Sequence, residues 1–202
     1  MMILRSSPPS PFGRKVKLAS GILGLDSEIS IEKADPTDAA DTLRQQNPLS
    51  KIPALIIEDG SVIYDSPVIL EYLDHRAGGN KIIPSEPVAR FAALTLEGLC
   101  DGILDACILL VYEGRWRPAE MKVQKWVDHQ TGKVERAFAV LEAAPPRLDA
   151  MPNVGAITLA CALGYQDLRF GGTWRKQYPK LVAWHDEFAA RVPAFEKTRV
   201  TA

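Results

Sequence analysis

Cysteine is scarce and badly placed for the work it usually does. The chain has three in 202 residues, Cys100, Cys107 and Cys161. Their number is odd and no two stand in C-x-x-C spacing. That excludes a disulfide framework and a zinc site, and it suits a reducing compartment, the cytoplasm. Cys100 and Cys107 lie seven apart, on one helical face, where cysteine packs as a small hydrophobe. Histidine is as rare: His75, His129 and His185 are far apart with no ligand-like spacing, so no metal is expected. No window approaches the roughly 18 apolar residues of a membrane helix. The best run, Cys107 to Tyr112, is short and follows Asp105. Met1-Met2-Ile3-Leu4 passes at once into Arg5, two serines and prolines, which predicts no secretory leader. An excess of one charge is also missing: Lys+Arg number 24 and Asp+Glu 25. No net field draws the chain to nucleic acid or anionic lipid, so an anionic ligand must be captured locally.

What is present is ordinary globular material, 47% hydrophobic and 24% charged, enough for one large domain or two small ones. Met2 to Ser6 reads as a strand. Gly13 to Gly24 reads as a helix, with Val16, Ala19 and Leu23 on one side. Ser27 to Glu32 alternates polar and apolar like a half-buried strand, and Asp38 to Gln46 resembles a short polar helix stopped by Asn47-Pro48. Two apolar runs, 53–58 and 61–64, flank Asp59-Gly60, the signal for a two-residue hairpin. Ser66-Pro67 then opens a helix through His75, with Ser as N-cap and Pro at the first helical position. The order is βαβαββα, complete by residue 76. After a linker at 77–86, apolar positions recur at helical spacing from Ala89 to Leu110 and from Val123 to Leu141. Further helices are expected from near Asn153 and over about Tyr178 to Arg191.

Four polar features in the first third converge on one kind of ligand. Ser10, ahead of Pro11-Phe12-Gly13, puts a hydroxyl at a helix N-terminus, where free N–H groups and the dipole favour an anion; the plainer reading is a simple cap. Ile52-Pro53 leads into the hairpin; a cis bond there turns the Ile52 backbone towards an extended peptide, whereas a trans bond makes it an edge device. Asp65 beside Ser66 offers an acid for an ammonium group and free amides for a carboxylate, or else a capped helix with a solvated acid. Lys51 is a cation next to that backbone, or a solvated surface lysine. Together they describe a small peptide with an amino-acid head, an extended middle and a terminal carboxylate.

The stretch N-P-L-S-K-I-P-A-L (47–55), followed by D-G (59–60) and Y-D-S-P-V-I-L-E-Y-L (64–73), resembles the glutathione-site signature of the cytosolic glutathione S-transferases. A-C-A-L-G-Y-Q-D-L-R-F (160–170) is similar to the helix at the core of that family's second domain. Ser10-Pro11-Phe12-Gly13 stands in the register of the C-P-x-C motif of the thioredoxin superfamily, without its cysteines, which argues against a disulfide oxidoreductase. The S-x-x-x-x-x-V spacing from Ser10 to Val16 resembles the bacterial zeta- and theta-like serine type.

The resemblance implies an α/β plus all-α architecture: a thioredoxin-like βαβαββα domain over 1–76 and an all-helical domain over 87–202. It implies a transferase with glutathione as co-substrate and no metal, in which Ser10 activates the thiol for attack on an electrophilic small molecule. Ile52 then pairs with the cysteinyl part, Asp65 and Ser66 hold the γ-glutamyl end, Lys51 reaches the glycine carboxylate, and Phe12 and Pro53 also belong to the glutathione site. The second substrate is expected near Pro9, with Tyr112, Arg115 and Trp116 as its outer wall. A cytoplasmic homodimer is expected, with Asp101 as the acid that supplements the short Asp65 across the subunits. The competing reading is a glutathione-binding or ligand-carrying protein with little turnover. Asn153-Val154-Gly155-Ala156 departs from the family's S/T-x-x-D capping box: the cap remains, the reciprocal acid does not.

Overall fold

The computed structural model describes residues 1–200. Its first part runs β1 (Met2–Ser6), α1 (Pro11–Leu23), β2 (Ile29–Lys33), α2 (Leu43–Gln46), β3 (Ala54–Ile56), β4 (Val62–Ile63) and α3 (Ser66–Arg76). The second part is helical: α4 (Pro87–Trp116), α5 (Gln124–Ala143), α6 (Val154–Phe170), α7 (Pro179–Arg191) and α8 (Pro193–Lys197). The sheet order is β2-β1-β3-β4, with β2 parallel to β1 and the other neighbours antiparallel. This is the thioredoxin-like domain and helical domain expected from the sequence.

Several elements differ from their sequence reading. The polar helix expected over 38–46 shrinks to Leu43–Gln46. Asp35, Asp38 and Asp41 each accept an N–H two residues on, from Thr37, Ala40 and Leu43, and these local turns compete with helix. The hairpin is wider than two residues, because the Ile57 N–H reaches the Ser61 carbonyl at 2.9 Å. Gly60, at φ 86°, closes this three-residue loop in the left-handed region. Helix α1 starts at Pro11, two residues before Gly13, so that Ser10 is its cap. The Asn153 cap of α6 is present, its Oδ1 accepting the Ala156 N–H at 3.0 Å.

One continuous core joins the parts: Val16 and Leu18 of α1, Ile69 of α3, Cys100 of α4 and Ile157 of α6 belong to the same buried cluster. Helix α1 lies at its centre, packed on α3 on one side and α6 on the other. Two of its charged residues are buried as well. Arg14 donates to the Phe195 carbonyl at 2.9 Å and lies 4.2 Å over the Phe195 ring. Lys15 is wholly buried, and its ammonium donates to Glu97 at 3.0 Å and to both Asp101 oxygens at 2.9 and 2.8 Å.

Burial pushes the Asp101 carboxyl up to about 6, from an ordinary value of 3.8, although Lys15 pulls the other way. The folded state therefore holds this proton more tightly than the unfolded chain does. Its contribution to stability is complete below the unfolded value and is lost as pH rises through about 6. We expect Asp101→Asn to flatten the decline in unfolding free energy over that interval, as measured by urea denaturation at a series of pH values and fixed protein concentration.

Candidate active site

The strand registers bring the sequence-predicted groups to one end of the sheet. Arg5 of β1 pairs with Ala54 of β3, and Leu55 of β3 with Ile63 of β4. Continued by one or two positions, these registers set Ser6 beside Pro53 and Pro53 beside Asp65. The loop from β1 to α1, the entry to β3 and the entry to α3 thus lie side by side.

Ser10 forms the first edge of this site. Its Oγ accepts the Gly13 N–H at 3.0 Å, and its carbonyl accepts the Arg14 N–H at 2.9 Å. A hydroxyl that accepts as a cap still has its own proton to donate. Pro11 carries no N–H, and the Phe12 N–H has no acceptor among the described residues. A hydroxyl donor and a free amide therefore stand together at the positive end of a 13-residue helix. Gly13 is required here by close approach: a Cβ would fall 2.0 Å from the Ser6 hydroxyl. Ser6 is buried beneath it and donates to the Ser7 carbonyl at 3.5 Å, so it faces the interior.

The middle of the site is the loop before β3. The Ile52–Pro53 bond is cis, as the peptide-binding reading requires. Neither the N–H nor the carbonyl of Ile52 has a partner among the described residues. Asn47, which sequence reasoning treated only as part of a motif, shapes this loop. It is buried, donates to the Lys51 carbonyl at 2.9 Å and accepts the Leu49 N–H at 3.0 Å. A buried amide with both ends engaged holds the backbone immediately before Ile52. Lys51 itself is exposed and makes no ion pair among the described residues.

The third edge corrects an expectation. Asp65, and not Ser66, is the N-cap of α3; Ser66 is the first helical residue and Pro67 the second. Proline is tolerated there because first-turn N–H groups have no intrahelical acceptor in any case. The Asp65 side chain makes no cap bond, and neither the Ser66 hydroxyl nor its N–H has a partner among the described residues. An acid, a hydroxyl and free amides all remain open at this helix end.

Helix α4 faces this edge with acids. Asp101, expected to help across a dimer, has both oxygens on Lys15 of its own chain. Asp105 was not singled out from the sequence. Its carboxyl is raised chiefly by burial, with Lys51 opposing and Asp65 adding to the shift, which sets it in the field of both site charges. Beside Ser10, a cavity of about 20 Å³ is lined by Pro9, Ser10, Arg14, Cys161 and Tyr165. Tyr165 of α6 is thus a wall residue missed in the sequence. Burial raises its phenol, and Arg169 opposes the shift. Arg115 stands 5.4 Å over the Tyr112 ring, while Trp116 is largely exposed; neither lines the cavity beside Ser10.

Comparison with known proteins bears directly on this arrangement. Residues 9–76 match the family described as glutathione S-transferase, N-terminal domain, and residues 124–187 match glutathione S-transferase, C-terminal domain. The chain is 34% identical over 188 residues to the GST-like protein YibF of Escherichia coli (strain K12), covering 90% of each. A glutathione transferase family member from Pseudomonas fluorescens Pf-5, crystallised with bound glutathione, superposes with a TM-score of 0.91 at 40% identity over the full length of both chains. Its complex with S-(propanoic acid)-glutathione gives 0.88 at 39% identity over 98% of this chain and 99% of that one. The chain belongs to the glutathione S-transferase family.

Proposed function

We propose that the chain is a glutathione transferase that binds glutathione along the β1–β3–β4 end of the sheet. The observation that carries this reading is the row of unpartnered polar groups on three adjacent segments: the Ser10 hydroxyl and Phe12 N–H, the Ile52 backbone, and Asp65 with Ser66. Asp65 and Ser66 take the γ-glutamyl ammonium and carboxylate, Ile52 pairs with the cysteinyl backbone, and Lys51 meets the glycine carboxylate. The first domain ends at residue 76, the linker covers 77–86, and the helical domain from 87 supplies the second substrate's wall.

A free thiol titrates near 8.5, so little of it is thiolate at neutral pH. The Ser10 hydroxyl, the Phe12 N–H and the α1 dipole all favour the anion. One unit of lowering corresponds to about 1.4 kcal/mol, within the reach of two such interactions. The thiol proton leaves to solvent and the sulfur lone pair forms a bond to the electrophilic carbon. Either a leaving group departs with its electron pair, or, at a conjugated double bond, the adjacent carbon takes up a proton. The Pseudomonas fluorescens relative holding S-(propanoic acid)-glutathione supports an electrophile that carries a carboxylate. Arg115, and Arg169 stacked 6.0 Å over Tyr165, supply cations on that side.

Ser10→Ala should lower turnover by about tenfold or more while leaving glutathione affinity nearly unchanged, because the other groups carry binding. The same change removes the α1 cap, at a cost of about 1 kcal/mol. Ultraviolet titration of the bound thiol is therefore the deciding readout: its pKa should rise in Ser10→Ala, and an unchanged value would favour a binding protein with little turnover.

We also infer a cytoplasmic homodimer joined through α3 and α4. The three thiols are buried and unpaired, as suits a reducing compartment. Val88, Phe91 and Leu99 of α4 are exposed at 78%, 66% and 37%, and Val68 of α3 at 50%. The Arg90–Glu71 pair at 2.7 Å ties these two helices on the same side. Apolar surface gathered in this way marks an interface. Light scattering should give twice the single-chain mass, and Phe91→Glu should reduce it to one chain; a single-chain mass for the native protein would overturn the dimer.

A further inference from the structure

Four aromatic rings gather where α5, the end of α6 and the start of α7 meet. Helix α6 stops at Gly171 and Gly172, whose φ values of 64° and 65° turn the chain back through the left-handed region. The next four residues, Thr173–Lys176, form a single 3₁₀ turn that lays Trp174 against α5. Phe138 of α5 meets Trp174 edge to face with centroids 6.1 Å apart, and meets Tyr178 in the same manner at 5.4 Å. With Phe170 of α6 these rings wall a pocket of about 380 Å³.

The charge on this pocket has one sign. Glu135 of α5 lines it and makes no ion pair among the described residues, and no lysine, arginine or histidine lines it with Glu135. Gln166 of α6 lines it too and is only 7% exposed. Its Nε2 donates to the Cys107 sulfur at 3.0 Å, while its Oε1 has no partner among the described residues. A buried amide oxygen on a pocket wall is there to accept from a donor that enters. Burial, and then the charges of Glu135 and Glu142, raise the Tyr178 phenol, which sets this ring in the field of two carboxylates. Arg175 lies 4.8 Å over the Trp174 ring, but Asp167 neutralises it at 2.6 Å and it does not line the pocket.

We propose that this pocket binds one small organic ammonium ion, a primary or secondary amine on an aryl or short alkyl body. The body lies among Phe138, Phe170, Trp174 and Tyr178, and the ammonium N–H groups donate to the Gln166 Oε1 and the Glu135 carboxylate. Ring faces carry the negative side of the aromatic quadrupole and attract a cation, and an unpaired carboxylate beside them disfavours an anion of the same shape. The volume falls within the range of about 300–1,000 Å³ typical of small-molecule sites. The pocket is separate from the site proposed for glutathione, since none of Ser10, Ile52, Asp65 or Ser66 lines it. Tyr165 lines the cavity beside Ser10, whereas Gln166, the next residue and about 100° further round α6, lines this pocket. The larger cavity of about 640 Å³ between α6, α7 and α8 has no such single sign, because basic and acidic side chains both line it.

The test is equilibrium dialysis of the native protein against 1-naphthylmethylammonium, with saturating S-hexylglutathione filling the catalytic cleft. About one equivalent per chain should bind. The uncharged isostere 1-naphthylmethanol should bind about fivefold or more weakly, and 1-naphthoate, with its charge reversed, more weakly still. Glu135→Gln should weaken the ammonium about fivefold and leave the alcohol unchanged, whereas Thr131→Phe, which fills the pocket from α5, should weaken both. Both variants should keep native circular dichroism and native turnover with glutathione, since neither residue belongs to the catalytic site. Complete displacement of the ammonium by S-hexylglutathione, equal affinity for the ammonium and the alcohol, or unchanged ammonium affinity in either variant would each overturn the proposal.

Discussion

The fold turns on a buried charge. Lys15 has no exposed surface, so its ammonium must be matched inside the protein, and the partners come from another domain. Three N–H donors meet three carboxylate oxygens on two successive turns of α4. Breaking such a group by removing one partner typically costs about 3–5 kcal/mol, because an uncompensated charge is left behind. Its neighbours have comparable tasks. Gly13 lets the first turn of α1 close onto Ser6 at the end of β1, and Arg14 anchors that turn to Phe195 of α8. Three consecutive residues thus fix the start of α1 against the sheet, the C-terminal segment and α4.

The consequence for chemistry is preorganisation. Ser10 and the Phe12 N–H stand on that same first turn, so the hydroxyl and amide that the proposed site offers to a thiol are held by packing and by charge. Groups fixed before the reaction favour developing negative charge without reorganising as it forms. Asn47 does the same for the Ile52 backbone from within its own loop.

Much of this was legible in the chain and some was not, for physical reasons. The strand–helix alternation and the serine at the start of α1 follow from local patterns and motif spacing, whereas the local pattern at Ile52–Pro53 left cis and trans both open and the structure has it cis. The short α2 was missed because Asp35, Asp38 and Asp41 form turns whose strength periodicity does not register. Asp41 also pairs with Arg5 of β1 at 2.7 Å, a partner 36 residues away. Lys15 was not singled out, since nothing near it in the chain announces acids more than 80 residues downstream. Tyr165 was missed as a wall residue because only the fold brings α6 to the loop before α1. The near balance of total charge likewise conceals the placement of Asp105 of α4 in the field of Lys51 and Asp65.

The central claim is that glutathione lies along the β1–β3–β4 end of the sheet with its sulfur at the first turn of α1. A crystal structure of the chain with glutathione bound tests it most directly. The account predicts the sulfur within hydrogen-bonding distance of the Ser10 hydroxyl and the Phe12 N–H, the cysteinyl backbone paired with Ile52, and the γ-glutamyl end on Asp65 and Ser66. A glutathione bound elsewhere, or one whose sulfur points away from Ser10 with Ile52 left unpaired, would contradict it.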